Sequence, residues 1–412
     1  MPQKGTFARE EVKNMKFVVK ACSNGKARAG ILHLATCPNP IETPALLLAT
    51  RKGLPSFITK DLLASLASSD SLLLQSSPLH FLDCPSPGTI SKIGGLHHMV
   101  DLHEHGFVAV PRDSIVCLPE FESTNKHGAS LETPSGRTLI KPAFYMEMIS
   151  SLKPNLWASV ADEVPAWVSE KRNRTSVDRT IRWLDECIAL DPTGGETVLG
   201  AVVGGASLKE RGRCAEEVTK RKVSGYWIGG FGLGEDMDER DALLNAVTDN
   251  LPDGRLRQIC GLGLPEEILQ GVAAGIDLFD STYIYHLTLG GFALTFPLHQ
   301  NEKNLYDPQL CDIGSDNAKI NLRATVYRKD TSPIVDGCKC YTCQNHTRAY
   351  INHLLNVHEM LAQILLEIHN TYHYLGFFRL IRDVILSGEF DVFHQNFIKG
   401  RRDHLASVAL CS

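Results

Sequence analysis

The sequence predicts an α/β fold in which a (β/α)8 barrel of the TIM type carries a largely helical appendage near the C-terminus. After residue 155, short apolar runs alternate with charged segments of helical character, as in repeated βα units. The runs are almost continuously apolar, which is typical of parallel strands covered on both faces. About eight strands over roughly 280 residues match a closed barrel.

The candidate strands are distributed along the first 280 residues. They are 17–21, 45–48, 79–82, 107–110, 156–161, 197–203, 225–230, 256–261 and 275–280. Helical segments separate several of the later runs, at 208–223, 235–250 and 264–273. A doubly wound open sheet is the alternative architecture, but no G-x-G-x-x-G fingerprint follows the first strand, which disfavours it.

The chain changes character after residue 300. Residues 300–336 are polar and irregular, a cysteine cluster follows, and a helical region then runs from 347 to about 387. Apolar residues recur in that region at the spacing of an amphipathic helix: Tyr350, Leu354, Val357, Leu361, Ile364 and Ile368. We predict an N-terminal tail at 1–15, a barrel core at 16–299, a subdomain at 300–390 and a C-terminal segment at 391–412 that packs on the barrel.

The composition is that of an ordinary globular protein. Hydrophobic residues make up 43% and charged residues 22% of the 412, which excludes a disordered chain. The formal net charge of −5 argues against non-specific nucleic-acid binding by the whole surface. The sequence contains no run of the ~20 apolar residues that span a membrane, and its start lacks the apolar core of a secretory signal. We therefore expect a cytoplasmic protein.

Three neighbouring cysteines predict a metal site. Nine of the twelve cysteines are scattered singly, whereas Cys338, Cys340 and Cys343 lie within six residues of one another. Thiolates combined with imidazole select zinc, and a structural zinc ion takes four protein ligands. Residues 300–390 are therefore predicted to form a zinc-binding subdomain.

The fourth ligand has to come from a histidine that follows the cysteines. A single straight helix would place His369 too far away, at ~1.5 Å per residue. Asn356 is a plausible helix end, however, and a turn there would form a hairpin that returns His369 to the cysteines. His346 lies closer in sequence, so geometry alone leaves both histidines as candidates.

The cysteine spacing, followed after 25 residues by His369 and Asn370, resembles the zinc signature of the tRNA-guanine transglycosylases. Other segments between about residue 16 and residue 395 are similar to the same family: Gly25-Lys-Ala-Arg28, Thr43-Pro-Ala, Ala161-Asp-Glu163, Gly229-Gly230, Gly261-Leu-Gly263 and Gly275-Ile-Asp277-Leu-Phe279-Asp280. The resemblance implies a TIM barrel with a zinc-binding insertion. It also implies one Zn2+ per chain, held by Cys338, Cys340, Cys343 and His369.

Three aspartates lie where barrel enzymes place their chemistry, at the C-terminal ends of strands. Side chains alternate along 275–280, so Asp280 faces the barrel interior when Leu278 does, and Asp277 then points outward. Asp162 ends its strand, and Asp113 follows the run 107–110. The three carboxylates are therefore predicted to converge at one rim, although strand-end aspartates also often cap the following helix.

The resemblance gives these residues roles in the exchange of the wobble guanine of tRNA for a 7-deazaguanine base. Asp280 matches the nucleophile that attacks ribose C1′, and Asp113 matches the general acid/base. Asp162 and the backbone of Gly229 and Gly230 match groups that bind the base. The scheme is a double displacement at an anomeric carbon, as in retaining glycosidases.

Several positions depart from the catalytic pattern of the family. Catalytic members continue with two glycines after the Asp-Ser pair, where this chain has Ile115 and Val116, which obstruct a close approach of the backbone. Gly204 replaces the glutamine that reads the base. The segment 283–290 carries neither of the two arginines that would hold the anticodon. Asp113, Asp280 and the base-binding groups are therefore predicted to be vestigial.

This combination resembles the accessory, non-catalytic subunits of the family's eukaryotic heterodimers, whose partner is a catalytic paralogue. It implies a structural zinc ion and the exchange of guanine for queuine in tRNAs with GUN anticodons, the tRNAs for Asp, Asn, His and Tyr. It also implies a peripheral location on the mitochondrial outer membrane besides the cytoplasm. The alternative is a catalytically active homodimer that uses Asp280 as its nucleophile.

Three basic segments predict contacts with tRNA. Residues 209–222 hold six Lys/Arg against three Glu, and residues 171–182 hold five against Asp178. The third segment comprises Lys399, Arg401 and Arg402. As a set they are expected to contact phosphates, which position a nucleic acid without specifying its sequence.

Overall fold

The computed structural model describes residues 15–35, 37–66, 70–298 and 318–411, with side chains as far as residue 400. In chain order, the strands of these ranges are β1 (Met15–Cys22), β2 (Arg28–Leu34), β3 (Ile41–Thr43), β4 (Ala45–Ala49), β5 (Leu73–Ser76), β6 (Gly106–Ala109), β7 (Leu118–Pro119), β8 (Ala129–Thr133), β9 (Gly136–Ile140), β10 (Leu156–Ala158), β11 (Val198–Val202), β12 (Gly225–Ile228), β13 (Leu256–Ile259), β14 (Leu278–Asp280), β15 (Phe292–Leu294) and β16 (Lys319–Asn321).

The helices of the same ranges are α1 (Lys60–Ser65), α2 (Pro87–Ile93), α3 (Leu96–Val100), α4 (Pro142–Leu152), α5 (Glu170–Leu190), α6 (Leu208–Thr219), α7 (Arg240–Thr248), α8 (Pro265–Ala273), α9 (Thr282–Gly290), α10 (Tyr341–Asn345), α11 (Arg348–Asn356), α12 (Leu361–Leu386) and α13 (Phe390–Cys411). Helices α11 and α12 are separated by a short turn, so the hairpin predicted near Asn356 is present.

Eight parallel strands close into a barrel in the order β4, β5, β6, β10, β11, β12, β13, β14. The barrel closes where β14 pairs with β4, with Phe279 opposite Leu46. The predicted (β/α)8 barrel is therefore confirmed. Its strands are short, mostly apolar and almost entirely buried, as β11 illustrates with five fully buried residues.

Helix-start signals in the sequence account for the helices that follow the strands. The side chain of Ser169 accepts the backbone N–H of Arg172 at the start of α5, and Ser207 does the same for α6. Pro265 occupies the first turn of α8, where its missing N–H costs nothing.

Two candidate strands are not part of the barrel. Residues 17–21 lie in β1, whose partly buried and exposed residues alternate, and β1 pairs with β2 in an antiparallel sheet of three strands outside the barrel. Residues 79–82 were predicted as a strand, but Pro78–Phe81 form a 3-10 helix capped by Ser77. Proline cannot donate a hydrogen bond inside a central strand, so this segment is not part of the sheet. The second barrel strand is instead β5, which precedes it and ends at Ser76.

The C-terminal third adds a second, smaller core to the barrel. This core contains Leu322, Ile351, Leu355 and Leu366, whereas the later part of α12, including Phe378, packs in the barrel core. Helix α13 contacts α8 and α12. Residues 1–14 of the tail predicted at 1–15, and residues 299–317, lie outside the described ones. Among the described helices, none is long and apolar enough to span a bilayer.

Candidate metal centre and barrel mouth

Three cysteines and one histidine lie close together beside the N-terminal third of α12. The Nδ1 atom of His369 lies 3.3 Å from the Sγ of Cys343, 3.5 Å from that of Cys340 and 4.0 Å from that of Cys338. All four donor atoms lie within 4.8 Å of one another. His346 does not belong to this group, and its ring instead stacks on Tyr350 at 5.2 Å.

The local fold holds these ligand candidates in place. Cys340 is the N-cap of α10, and its sulfur accepts the backbone N–H of Cys343 at 3.3 Å. The Nε2–H of His369 donates to the carbonyl oxygen of Leu294 at 2.8 Å, which directs Nδ1 towards the sulfurs. Asn370 accepts the N–H of Leu294 and donates to the carbonyl of Phe292, so the His-Asn pair anchors α12 to β15.

The four donors fit a tetrahedral metal ion. Zn–S bonds of ~2.3 Å and Zn–N bonds of ~2.0 Å at a tetrahedral angle place sulfur and nitrogen about 3.5 Å apart, and the three Sγ–Nδ1 distances of 3.3, 3.5 and 4.0 Å bracket that value. The cluster is therefore compatible with a metal site of the Cys3His type.

At the barrel mouth, Asp280 is the last residue of β14 and is 1% exposed. One carboxylate oxygen accepts the backbone N–H of Gly261 at 3.2 Å, and the other accepts that of Thr282 at 3.0 Å. The second bond helps to begin α9, as strand-end aspartates often do. Burial disfavours the charge of Arg112, but Cys260, Glu163 and Asp280 outweigh it and raise the pKa of this arginine.

Asp113 forms a buried hydrogen bond with His80, at 2.6 Å between Oδ2 and Nε2. The backbone N–H of Lys52 donates to His80 Nδ1 at 3.4 Å, so the ring proton is on Nε2 and is donated to Asp113. Cys117 lies close to this pair, and burial raises the pKa of its thiol to about 12. His80 and Cys117 would each have to give up a proton before these three side chains could coordinate a metal ion.

Asp162, the predicted base-binding carboxylate, is held by two arginines of α5. Arg172 binds it in a bidentate fashion at 2.7 and 2.8 Å, and Arg179 adds a third bond at 3.0 Å. The carboxylate is fully buried, whereas the two arginines are about one-fifth exposed. Its oxygens are therefore used inside the chain and are not presented to a purine.

We expect Asp162→Asn to destabilise the chain by roughly 3 kcal/mol, because it leaves two partly buried arginines without a counter-charge. Urea unfolding followed by circular dichroism measures this change. Asp178→Asn, which removes an exposed partner of Arg213, is the matched control and is expected to cost under ~1 kcal/mol. Equal stabilities of the two variants would contradict a structural role for Asp162.

Arg211 forms hydrogen bonds with the backbone carbonyl groups of Gly229 and Gly230. This fully buried side chain donates to the carbonyls of both glycines at 3.2 and 3.0 Å and to that of Gly205 at 2.7 Å. Its guanidinium lies 3.9 Å from the ring centroid of Phe231, and burial lowers its pKa to about 10. The backbone groups that the resemblance assigns to base binding therefore already form hydrogen bonds within the chain.

Glu163 completes this internal network. It pairs with Arg112 at 2.9 Å and accepts the backbone N–H of Gly230 at 2.6 Å. Gly204 lies against Arg211 so closely that an added Cβ would be 2.5 Å from the backbone nitrogen of Arg211. No side chain, including the glutamine of the catalytic pattern, fits at residue 204 without moving α6.

The four arginines that fill the mouth were missed by the sequence analysis. Arg172, Arg179 and Arg211 lie within segments that we interpreted as basic surfaces, and Arg112 directly precedes Asp113. A helix-face pattern could have identified Arg172 and Arg179, which are seven residues apart and so lie on the same side of α5.

The basic segments are largely neutralised by neighbouring carboxylates. In residues 209–222, ion pairs involve Arg213, Lys220, Arg221 and Lys222. In residues 171–182, Arg172 and Arg179 pair with Asp162, and Arg182 pairs with Glu186. Lys399 is exposed, and the side chains of residues 401 and 402 lie outside the described ones. The surface is thus less basic than the sequence runs suggested.

The fold and the two sites define a class of protein: a (β/α)8 barrel with an appended Cys3His cluster and an internally filled mouth. The family model described as queuine tRNA-ribosyltransferase matches residues 22–403. The chain belongs to this family, as the zinc signature indicated.

Curated relatives match over nearly the whole chain. The protein named queuine tRNA-ribosyltransferase accessory subunit 2 of Danio rerio is 33% identical over 406 residues, or 88% of this chain and 93% of its own. The human protein of the same name is 31% identical over 411 residues, or 90% and 95% of the two chains. That of Xenopus laevis is 33% identical over 383 residues, or 85% and 90%.

Proposed function

We propose that this chain is the non-catalytic subunit of a heterodimeric queuine tRNA-ribosyltransferase. Its partner, a catalytic paralogue, exchanges guanine for queuine at the wobble position of tRNAs with GUN anticodons. The observation that carries the proposal is the filled mouth, in which Arg211 occupies the backbone of Gly229 and Gly230 and two arginines occupy Asp162. The names of the relatives, which are accessory subunits, support it.

The metal of the Cys3His cluster is proposed to be a structural Zn2+. Cys338, Cys340, Cys343 and His369 supply four donors, which leaves no open position for substrate or water. When bound, zinc would cross-link the loop before α10 to α12. His369 in turn donates to β15, so the ion fixes the orientation of the appendage relative to this strand.

We place the catalytic partner on the exposed face of the appendage. Tyr341, His346 and Tyr350 form a ladder of rings with centroids 5.8 and 5.2 Å apart. Val357 and Met360, at the tip of the hairpin, are 48% and 66% exposed. Exposed apolar surface of this kind, rich in Tyr and Met, is typical of protein interfaces.

Contact with tRNA is proposed to be limited to phosphates. Lys171, Lys209 and Lys399 are exposed, and such cations position an RNA without reading its bases. The cytoplasm, with peripheral attachment to the outer mitochondrial membrane, is the proposed location on the basis of the family resemblance.

The test is the exchange of labelled guanine into a tRNA with a GUN anticodon. We expect no exchange by this chain alone, little by the catalytic paralogue alone, and strong exchange by the mixture. Asp280→Asn in this chain is expected to leave the rate of the mixture within about twofold. Met360→Asp is expected to abolish exchange, because it places a charge in the proposed interface, with loss of the heterodimer in sedimentation.

Three outcomes would contradict the proposal, two of them its non-catalytic role and the third its interface. Exchange by this chain alone, abolished by Asp280→Asn, would establish an active homodimer. A collapse of kcat in the Asp280→Asn mixture with an intact heterodimer would show that this mouth takes part in the chemistry. Exchange at the wild-type rate by the mixture that contains Met360→Asp would show that the partner does not bind at the tip of the hairpin.

A further inference from the structure

A cleft of about 730 Å³ lies at the end of the barrel opposite the mouth. One wall is β1, which contributes Phe17, Val18 and Val19, and the other is the segment between α7 and β13, which contributes Leu251. The volume falls in the range of small-molecule sites, ~300 to 1,000 Å³. The curated relatives' names and the barrel chemistry assign no role to this cleft.

Two buried arginines, Arg28 and Arg257, form part of the lining, and one of them is fully neutralised. Arg28 is 3% exposed and binds Asp277 through two hydrogen bonds of 2.9 and 2.6 Å. Its remaining donors reach the carbonyls of Asp253 and Arg255 at 2.6 and 2.8 Å. The Arg28–Asp277 pair is therefore complete and needs no further partner.

Arg257 is not neutralised in this way, although it is 2% exposed. Asp277 accepts the backbone N–H of Arg257, not its guanidinium. The guanidinium donates to the carbonyls of Leu251 and Gly275, and the carboxylate that it contacts belongs to Asp253, at 3.3 Å, whose side chain is fully exposed. Its Nε–H is buried and has no acceptor among the described residues.

Arg257 therefore carries a buried charge that forms no ion pair with a buried carboxylate in the described structure. The carboxylate of Asp253 is exposed, and that of Asp277, which is close enough to act on the charge of Arg257, is bound to Arg28. Burial and the nearby Arg28 lower its pKa to about 10, so it is still positively charged at neutral pH. Among the buried groups at the floor of the cleft, two arginines face one aspartate, and the balancing carboxylates of Asp249 and Asp253 are exposed to solvent. An anionic oxygen group is the chemistry that would offset the buried charge of Arg257.

We propose that this cleft binds a small organic anion, with a carboxylate or phosphate group at Arg257 and an apolar body against β1. Phe17, Val18, Val19 and Leu251 make part of the lining apolar, which favours a ligand with an apolar body. Lys26 lies at the edge of the cleft, where it pairs with Asp249. Its ammonium group is available to a second negative charge on the ligand.

Calorimetric titration of the full chain with benzoate, phenyl phosphate and inorganic phosphate tests the proposal. At least one organic anion is expected to bind roughly tenfold more tightly than inorganic phosphate, and the better of the two identifies the preferred oxygen group. Arg257→Gln is expected to weaken this binding by about tenfold or more.

Because Arg257→Gln removes a buried charge and can affect folding, Val18→Glu provides a second variant. Val18 is 40% exposed, so a glutamate fits there, and its charge should repel the ligand. Ile93→Glu, at a residue of α2 that is 45% exposed, is the matched control and should bind normally. The proposal is overturned if no probe binds at millimolar concentration, if inorganic phosphate binds as tightly as the organic anions, or if Val18→Glu binds like the wild type.

Discussion

The variant His369→Ala is expected to lose the proposed zinc ion and to lower the Tm of the chain by roughly 10 °C or more. His369 supplies the donor that joins the three cysteines to α12, and its other ring nitrogen is bonded to β15. Removing it leaves three thiols crowded together without a fourth ligand. Structural zinc sites contribute ~10 kcal/mol or more in small domains, so even a part of that energy shifts Tm by this amount.

Metal content measured by mass spectrometry, together with a thermal melt, gives the two readouts. Cys340→Ser is expected to behave like His369→Ala. His346→Ala is the matched control, since His346 stacks on Tyr350 outside the cluster, and it should retain one zinc ion per chain. A His369→Ala protein with full zinc content and normal Tm would instead assign the fourth position to His346.

The sequence was sufficient to predict the barrel and the metal cluster because both depend on local patterns. Alternation of apolar runs and helices predicts a barrel regardless of side-chain detail. Three cysteines at fixed spacing, with a helix end at Asn356, left His369 and His346 as candidates for the fourth ligand. The family resemblance favoured His369, and the structure brings this histidine to the cysteines. Where the prediction of strands was wrong, at residues 79–82, a single proline decided the local structure.

The arginine network of the mouth could not be predicted in the same way. Arg172 and Arg211 read as members of charged surface segments, because charge runs are usually solvated faces. Their burial depends on long-range pairing with Asp162 and with the carbonyls of Gly229 and Gly230. The departures from the catalytic pattern, such as Gly204, indicated only that the pocket was altered, not what fills it.

The variant Gly204→Gln, which restores the residue of the catalytic pattern, is expected to destabilise the chain by roughly 3 kcal/mol or more. A Cβ at residue 204 would lie 2.5 Å from the backbone nitrogen of Arg211 and 2.8 Å from its Cα. Backbone atoms inside α6 cannot rotate away as a flexible side chain does, so the helix itself has to shift. Urea unfolding measures the loss, and titration with guanine is expected to show no binding.

Gly88→Gln is the matched control for this substitution. Gly88 lies in α2, and a Cβ there meets no atom within 4 Å. Glutamine also has the higher helix propensity, so Gly88→Gln should be neutral or slightly stabilising. Wild-type stability of Gly204→Gln would mean that α6 shifts away from residue 204 at little cost in free energy. Guanine binding by that variant would show that the mouth can hold a purine. Destabilisation without binding means that the pocket of this subunit was rebuilt around Arg211, so that the base must be held by the partner.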